Sequence, residues 1–221
     1  MTGAEHALRF VEDGHVVGLG TGHAATAFVR VLAERVRAGL RVAGVPTSEA
    51  TARLARELGI PLVSLAERPV VDVALDGADE VDPGLDLVKG WGGALLREKI
   101  VADAARRFVV LVGPEKLVST LGSRGKLPVE VVPFGAAVCG ARLERLGLRP
   151  ALRGGDATPF VTDSGNWIYD CAVDPIADAG WLDAALRAIP GVVATGLFLG
   201  MADVVVIDSD GRIETRVREG R

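Results

Sequence analysis

Short runs of apolar, β-branched residues alternate with helix-like patterns along the first half of the 221-residue chain. After the run at 16–19, apolar side chains at Ala25, Phe28, Leu32 and Val36 recur at the spacing of one helix face. Alternation of this kind is typical of a parallel sheet with crossover helices, so the sequence predicts an α/β fold. The predicted strands are 16–19, 41–45, 70–75 and 108–112.

From about Leu127 the pattern changes to one richer in strands. We predict a small α+β domain at residues 127–199, inserted before the last strand (202–207) of a larger domain made of residues 1–126 and 200–221. Its predicted elements are strands at 127–132, 160–162, 166–173 and 192–199 and helices at 136–146 and 179–189.

Charge and hydropathy exclude two classes of partner. Twenty-five basic and 29 acidic residues give a net charge of −4, and no block of Lys and Arg is present that would follow a nucleic-acid backbone. Charges or glycines interrupt every apolar stretch well before the roughly 20 residues that a membrane span needs. We therefore expect neither nucleic acid nor membrane as a partner.

The first residues lack the basic start and apolar run of a signal peptide, so we expect a cytoplasmic protein. Cys139 and Cys171 have no metal or redox spacing. We predict that both are reduced core residues, as is usual in the cytosol.

The segment Gly18 to Gly22 leaves a strand and opens a helix, where backbone amides and the helix N-terminus can receive an anion. The alternative is a tight turn that needs glycine only for its conformation. A dinucleotide site is not indicated because His23 and Ala24 follow where another glycine would be expected. His23 adjoins the loop and is a candidate phosphate contact.

The segment Asp76 to Glu80 places carboxylates just after a predicted strand, where open α/β sheets bind ligands. Paired acids there can exchange protons with substrate hydroxyls. The alternatives are a solvated Asp-Gly turn and a divalent-metal site, the latter with no histidine or third spaced acid to support it.

Lys89 is the first lysine in the chain and precedes a glycine-rich stretch, residues 90–93, that leads into a helix. A lysine in this position can hold an oxyanion, although it also suits an exposed loop. Trp91 is expected to pack rather than to stack on a ligand.

Glu98 lies in that helix with Leu95, Val101 and Ala102 within about 60° of it on the helical wheel. Burial on this apolar arc would make the carboxylate a candidate general base. The alternative is a snorkelling glutamate, or one paired with Arg97 or Lys99.

These motifs, taken in order and spacing, resemble the ribose-5-phosphate isomerase type A family over nearly the whole chain. The likeness also includes segments 45–48, 127–131, 189–193 and 195–198. The resemblance implies a Rossmann-like parallel-sheet domain with an inserted α+β (ferredoxin-like) domain that acts as a lid and in oligomerisation. It further implies a homodimer or higher oligomer that isomerises a small phosphorylated sugar without cofactor or metal.

Carried over position by position, the family's general base falls on Glu98, its lysine on Lys89 and its substrate-contacting acids on Asp76 and Asp79. The family has Ser-Thr where this chain has His23 and Ala24, and its basic residue before the strand at 127 matches Arg124 or, alternatively, Lys126. The implied substrate-binding residues are Thr21, Gly22, His23, Ala24, Asp76, Gly77, Ala78, Asp79, Lys89, Gly90, Trp91, Gly92 and Arg124.

Two other functions remain open at this point. A non-catalytic sugar-phosphate sensor on a related fold would keep the glycine loop without needing Glu98, but no helix-turn-helix segment precedes the first strand. A transferase acting on a thioester rests on fold analogy alone.

Overall fold

The computed structural model describes residues 1–219. The helices are α1 (Gly3–Ala7), α2 (His23–Arg37), α3 (Glu49–Glu57), α4 (Leu95–Asp103), α5 (Ala136–Arg145) and α6 (Ala179–Arg187). The strands are β1 (Val16–Leu19), β2 (Ala43–Pro46), β3 (Val73–Gly77), β4 (Glu80–Val81), β5 (Leu87–Val88), β6 (Phe108–Val112), β7 (Lys126–Val131), β8 (Arg149–Leu152), β9 (Trp167–Ala172), β10 (Val192–Thr195), β11 (Leu197–Phe198), β12 (Val204–Ser209) and β13 (Arg212–Val217).

Packing divides the chain into two compact units. Unit 1 comprises residues 1–78, 97–116 and the segment from 201 onward, and unit 2 comprises residues 79–96 and 117–200. Unit 2 is thus larger than the predicted insertion of 127–199. The difference arises because β4 and β5 pair with each other and β5 pairs with β11, which ties residues 80–88 to the second unit.

Unit 1 contains a six-stranded sheet in the order β13-β12-β6-β3-β1-β2. All neighbours are parallel except β12 and β13, which form an antiparallel edge. The order of the parallel strands reverses at β1 and β3, and the carboxyl ends of strands at such a switch point are where open α/β sheets bind ligands. The predicted α/β fold is confirmed.

The core of unit 1 lies between the sheet and α2. Phe28, Val29 and Leu32 of α2 are fully buried against Leu19 and Leu75 of the sheet. Each fully buried large side chain stabilises the fold by about 1.5–3 kcal/mol, so this face fixes α2 against the sheet. The N-terminus of α2 is thereby positioned directly after β1.

Unit 2 contains a four-stranded antiparallel sheet in the order β10-β7-β9-β8. Along the chain its elements run β7, α5, β8, β9, α6, β10, which is the β-α-β-β-α-β arrangement of ferredoxin-like folds. Leu127, Val129 and Val131 of β7 point to the buried side, together with Leu143 of α5 and Leu186 of α6. The expected smaller antiparallel domain is therefore present.

Two predicted strands differ from the observed ones. The segment 160–162 makes only a single bridge, between Val161 and Trp167, and the strands that pair with β9 are β7 and β8. The predicted strand 192–199 is divided into β10 and β11, which belong to different sheets. Pairing with strands more than ten residues away determines how both segments are arranged. The periodicity of a sequence alone does not reveal such pairing.

Within residues 1–219, none of the helices combines the length and apolar character that crossing a membrane requires.

Candidate active site

The predicted site residues are divided between the two units. Unit 1 holds Thr21, Gly22, His23, Ala24, Asp76, Gly77, Ala78 and Glu98. Unit 2 holds Asp79, Lys89, Gly90, Trp91, Gly92 and Arg124.

The glycine loop after β1 is shaped by close approach to β3. A Cβ on Gly20 would overlap the carboxylate of Asp76 and would lie 2.6 Å from the Leu75 carbonyl oxygen. Gly22, the N-cap of α2, has φ +103°, which disfavours other residues. Gly22 supplies no side-chain cap to the first amides of α2. Anion binding by these amides stays a prediction.

A cluster of hydroxyl groups supports this loop from α3 and the end of β2. Thr21 Oγ1 lies 2.7 Å from Thr47 Oγ1 and donates to Ser48 Oγ at 2.9 Å. Thr51 Oγ1 donates to the Gly20 carbonyl at 2.8 Å, and Ser48 caps α3 by accepting from the Thr51 amide. The sequence analysis did not identify the role of Thr47 and Thr51 beneath the loop, because that role depends on long-range packing.

Asp76 joins the ends of β1 and β3. It is 2% exposed, and its Oδ1 accepts hydrogen bonds from the backbone N–H of Thr21 at 3.1 Å and of Gly77 at 2.8 Å. The alternative of a solvated Asp-Gly turn is wrong for this residue.

Glu98 is buried in α4, with 5% of its surface exposed. The helix approaches the sheet closely because Gly18 has no side chain, since a Cβ there would lie 2.6 Å from Val101 Cγ1. The neighbouring Arg97 forms an ion pair with Glu49 of α3 at 3.0 Å. The alternative of a snorkelling glutamate is therefore wrong.

Lys89 follows β5 and is 3% exposed, so the alternative of an exposed loop lysine is also wrong. Its backbone N–H donates to the Gly196 carbonyl at 2.8 Å, and its Nζ lies 5.5 Å from the centroid of the Phe198 ring. Burying an ammonium group costs several kcal/mol of folding free energy. An apolar residue would avoid this cost if the position had only a structural role.

Asp79 and Trp91 are linked within unit 2. The Asp79 amide donates to the Val88 carbonyl at 2.8 Å, and Asp79 Oδ2 accepts from the Trp91 amide at 3.0 Å. Asp79 therefore orders the loop that follows Lys89, in addition to the substrate contact that the resemblance implies.

Trp91 carries two cations over its ring. The Arg124 guanidinium lies 5.2 Å from the ring and the Lys126 ammonium 4.5 Å from it. Lys126 also lies 3.9 Å from the Asp170 carboxylate, whereas Arg124 is an exposed residue whose Nη1 donates to the Asp79 carbonyl at 3.2 Å. The expectation that Trp91 only packs was incomplete, because it supports both candidate basic residues.

Glu80 positions Arg124 and was not singled out from the sequence. Its carboxylate is fully buried and accepts from the Gly122 amide at 2.5 Å and the Arg124 amide at 2.7 Å. Hydrogen bonds to a charged group contribute about 1.5–3 kcal/mol each. The pairing spans more than 40 residues, so no local sequence signal reports it.

Both cysteines are buried and reduced, as predicted. Burial raises the pKa of the Cys171 thiol to about 12, with a smaller contribution from the charge of Asp170. Burial likewise raises the pKa of Cys139. In residues 1–219, His, Cys, Asp and Glu side chains form no group of three or more suited to a metal ion.

The sequence of this chain is similar to those of known proteins. Residues 43–211 match the family model for ribose 5-phosphate isomerase A (phosphoriboisomerase A). The ribose-5-phosphate isomerase A of Roseiflexus sp. (strain RS-1) is 57% identical over 222 residues, which cover 99% of this chain and 95% of the relative. That of Gloeobacter violaceus is 56% identical and covers 96% of this chain and 93% of the relative.

The fold is also similar to those of solved ribose 5-phosphate isomerase structures. Ribose 5-phosphate isomerase A from Methanocaldococcus jannaschii matches with a TM-score of 0.92 and 42% identity, over 98% of this chain and 96% of that one. A D-ribose-5-phosphate isomerase in complex with phospho-erythronic acid matches with a TM-score of 0.93 and 39% identity, over the same shares. This chain belongs to the ribose 5-phosphate isomerase A family and is an aldose-ketose isomerase that interconverts D-ribose 5-phosphate and D-ribulose 5-phosphate.

Proposed function

We propose that the isomerisation proceeds through an enediolate, with Glu98 as the base that moves the proton. Glu98 removes the proton from C2 of the open-chain aldose and returns it to C1. The observation that carries this assignment is the burial of a carboxylate in α4, which Gly18 allows to lie close to β1. A base held away from water does not lose its proton to solvent between the two steps.

Lys89 stabilises the oxyanion that develops on the substrate as the C2 proton leaves. Support comes from its burial, because an ammonium group in a site with little water interacts with a developing negative charge more strongly than it would in solvent. The relative that binds phospho-erythronic acid, a phosphorylated sugar acid, supports a site that accepts an anionic group at the reacting end of the substrate.

Asp76 opens the sugar ring or exchanges protons with substrate hydroxyls, and Asp79 orients hydroxyls. Asp76 is the better candidate for proton exchange because it is buried at the end of β3, where two backbone amides hold its carboxylate in place. Asp79 uses Oδ2 to order the Trp91 amide, which suits an orienting role.

The substrate phosphate is bound by the amides from Thr21 to Ala24, by the N-terminus of α2 and by Arg124. Gly22 at the N-cap supports the first two contacts. Arg124 is chosen over Lys126 because its loop is held by Glu80 while its side chain remains exposed. His23, also exposed, replaces one of the two hydroxyl residues that are usual in the family.

Turnover of ribose 5-phosphate by the purified protein, without added cofactor, tests this proposal against the alternatives of a sensor and a thioester transferase. Ribulose 5-phosphate should form at a rate proportional to enzyme concentration, and the Glu98→Gln variant should still bind the sugar phosphate. Binding without turnover by the wild-type protein would favour the sensor, which the comparisons do not support.

We further propose that the protein acts in the cytoplasm, in the pentose phosphate pathway, as a homodimer or higher oligomer. Support for oligomerisation comes from exposed apolar side chains in unit 2, where Phe134 is fully exposed and Val138, one turn along α5, is 58% exposed. Light scattering after gel filtration tests this directly. A monomer at micromolar concentration would contradict it.

A further inference from the structure

The glycine-rich segment after Lys89 contains a turn in which two glycines have positive φ. Gly90 and Gly93 have φ of +105° and +85°, and the Gly93 amide donates to the Gly90 carbonyl at 3.1 Å. Glycines lose more backbone freedom on ordering than other residues do, so such a turn needs contacts from outside to keep one conformation.

Arg153, the residue after β8, supplies such contacts. Its Nη2 donates to the Gly90 carbonyl at 3.2 Å and its Nη1 to the Trp91 carbonyl at 3.3 Å. The residues are more than 60 positions apart in the sequence, so only the fold of unit 2 brings them together. One planar guanidinium thus binds two consecutive backbone carbonyls, those of Gly90 and Trp91.

The Arg153 guanidinium is itself held on its other side by Asp170 of β9. Nε and Nη2 donate to the two carboxylate oxygens at 2.9 and 2.6 Å, and the Arg153 side chain is only 15% exposed. The guanidinium also lies 5.6 Å from the Phe160 ring. Such bidentate pairs with low exposure have a fixed geometry, unlike most surface ion pairs.

We propose that Arg153, oriented by Asp170, is a positioning residue for the isomerase reaction that fixes the Gly90–Trp91 backbone and, through it, the Lys89 side chain. The inference rests on the role proposed above for Lys89. Arginine is required because a lysine ammonium cannot bind two carbonyls and a carboxylate in one plane.

The first test compares Arg153→Lys and Arg153→Met with Lys89→Met and the wild type. In both Arg153 variants kcat should fall about 10-fold to 100-fold, the effect of misplacing a group that acts in the transition state. KM should change less than about threefold, because Lys89 acts on the developing charge and Arg124 keeps its own support from Glu80.

Arg149→Lys is the matched control. Arg149 lies in β8, the strand that Arg153 follows, and its exposed guanidinium pairs with Asp174 at 3.5 Å on the surface. Because exposed ion pairs contribute little to stability, this variant should keep the wild-type kcat and KM.

Hydrogen exchange provides a readout that does not depend on activity. In Arg153→Lys the peptide spanning 89–96 should exchange faster than in the wild type, while peptides from β7 and from the six-stranded sheet of unit 1 should be unchanged. If Arg153→Met does not fold, Arg153→Lys decides the question, since it retains the charge and most of the side chain.

A wild-type kcat in Arg153→Lys overturns the inference whatever its exchange rate. A lower kcat without faster exchange at 89–96 overturns it as well, because the loss would then arise elsewhere. If Lys89→Met retains full activity, the role proposed for Lys89 fails, and the exchange measurement shows separately whether Arg153 orders the turn.

Discussion

The carboxylate of Asp76 accepts a hydrogen bond from the backbone N–H of Thr21 at 3.1 Å, so the end of β3 is joined to the loop after β1. This contact requires that Gly20, one residue earlier, has no side chain. The position of Asp76 and the shape of the loop after β1 therefore depend on one another.

Gly20→Ala should destabilise the protein by about 1–3 kcal/mol, the usual effect of adding a carbon where there is no space. It should also lower kcat/KM, because Asp76 and the Thr21 amide move apart. Thermal unfolding and steady-state kinetics measure the two effects. Gly180→Ala in α6, where the new Cβ meets nothing closer than 3.5 Å, is the control and should leave both unchanged or raise stability slightly.

Glu98→Gln should lower kcat at least about 100-fold while folding and substrate binding remain nearly intact, because the amide keeps the shape but cannot accept the proton. Glu34→Gln, the same change at an exposed position of α2, should have no effect on kcat. Retention of more than about a tenth of the wild-type kcat in Glu98→Gln would show that another group is the base.

Activity should survive exhaustive treatment with EDTA, since Glu98, Lys89 and Asp76 supply a base, a cation and an acid without a metal ion. The initial rate is measured before and after chelation and again after addition of Mg²⁺ or Mn²⁺. Loss of activity that either ion restores would mean that Asp76 and Asp79 are metal ligands.

Replacing His23 and Ala24 by Ser and Thr, the residues that are usual in the family at these positions, should change KM and leave kcat largely unchanged, because contacts made equally in ground and transition states affect KM alone. Steady-state kinetics of the two proteins under the same conditions measures both constants. An unchanged KM would mean that the side chains at these two positions do not contact the substrate phosphate.

Neither cysteine of the folded protein should react with iodoacetamide at pH 8, because the thiolate is the reactive form and Cys171 has a pKa of about 12. Since the folded pKa is raised, the unfolded chain ionises first, and the contribution of this thiol to stability should fall as the pH rises above its ordinary value near 9. Mass spectrometry should find two labels only after unfolding in guanidinium chloride. Labelling of native Cys171 would contradict the buried position.

Local patterns in the sequence determined most of the larger unit and half of the proposed site. The β1 run, the stripe of α2 and the glycines between them predicted both elements and the turn that joins them, because spacing along the chain reports which side chains share a face. Anion binding by this turn stays a prediction. Asp76 was recognised from its place after a strand. The motif order then indicated the family, which the comparisons confirmed.

Only the tertiary structure decided which of the singled-out polar residues are buried and what holds them. The same segment around Lys89 suits an exposed loop or a buried site, and pairing of β5 with β11 more than 100 residues away makes it buried. The roles of Glu80 and Arg153 were not predicted for the same reason, since each binds backbone groups more than 40 residues distant. Sequence periodicity reports the face on which a residue lies, whereas contacts between distant segments exist only once the sheets have formed.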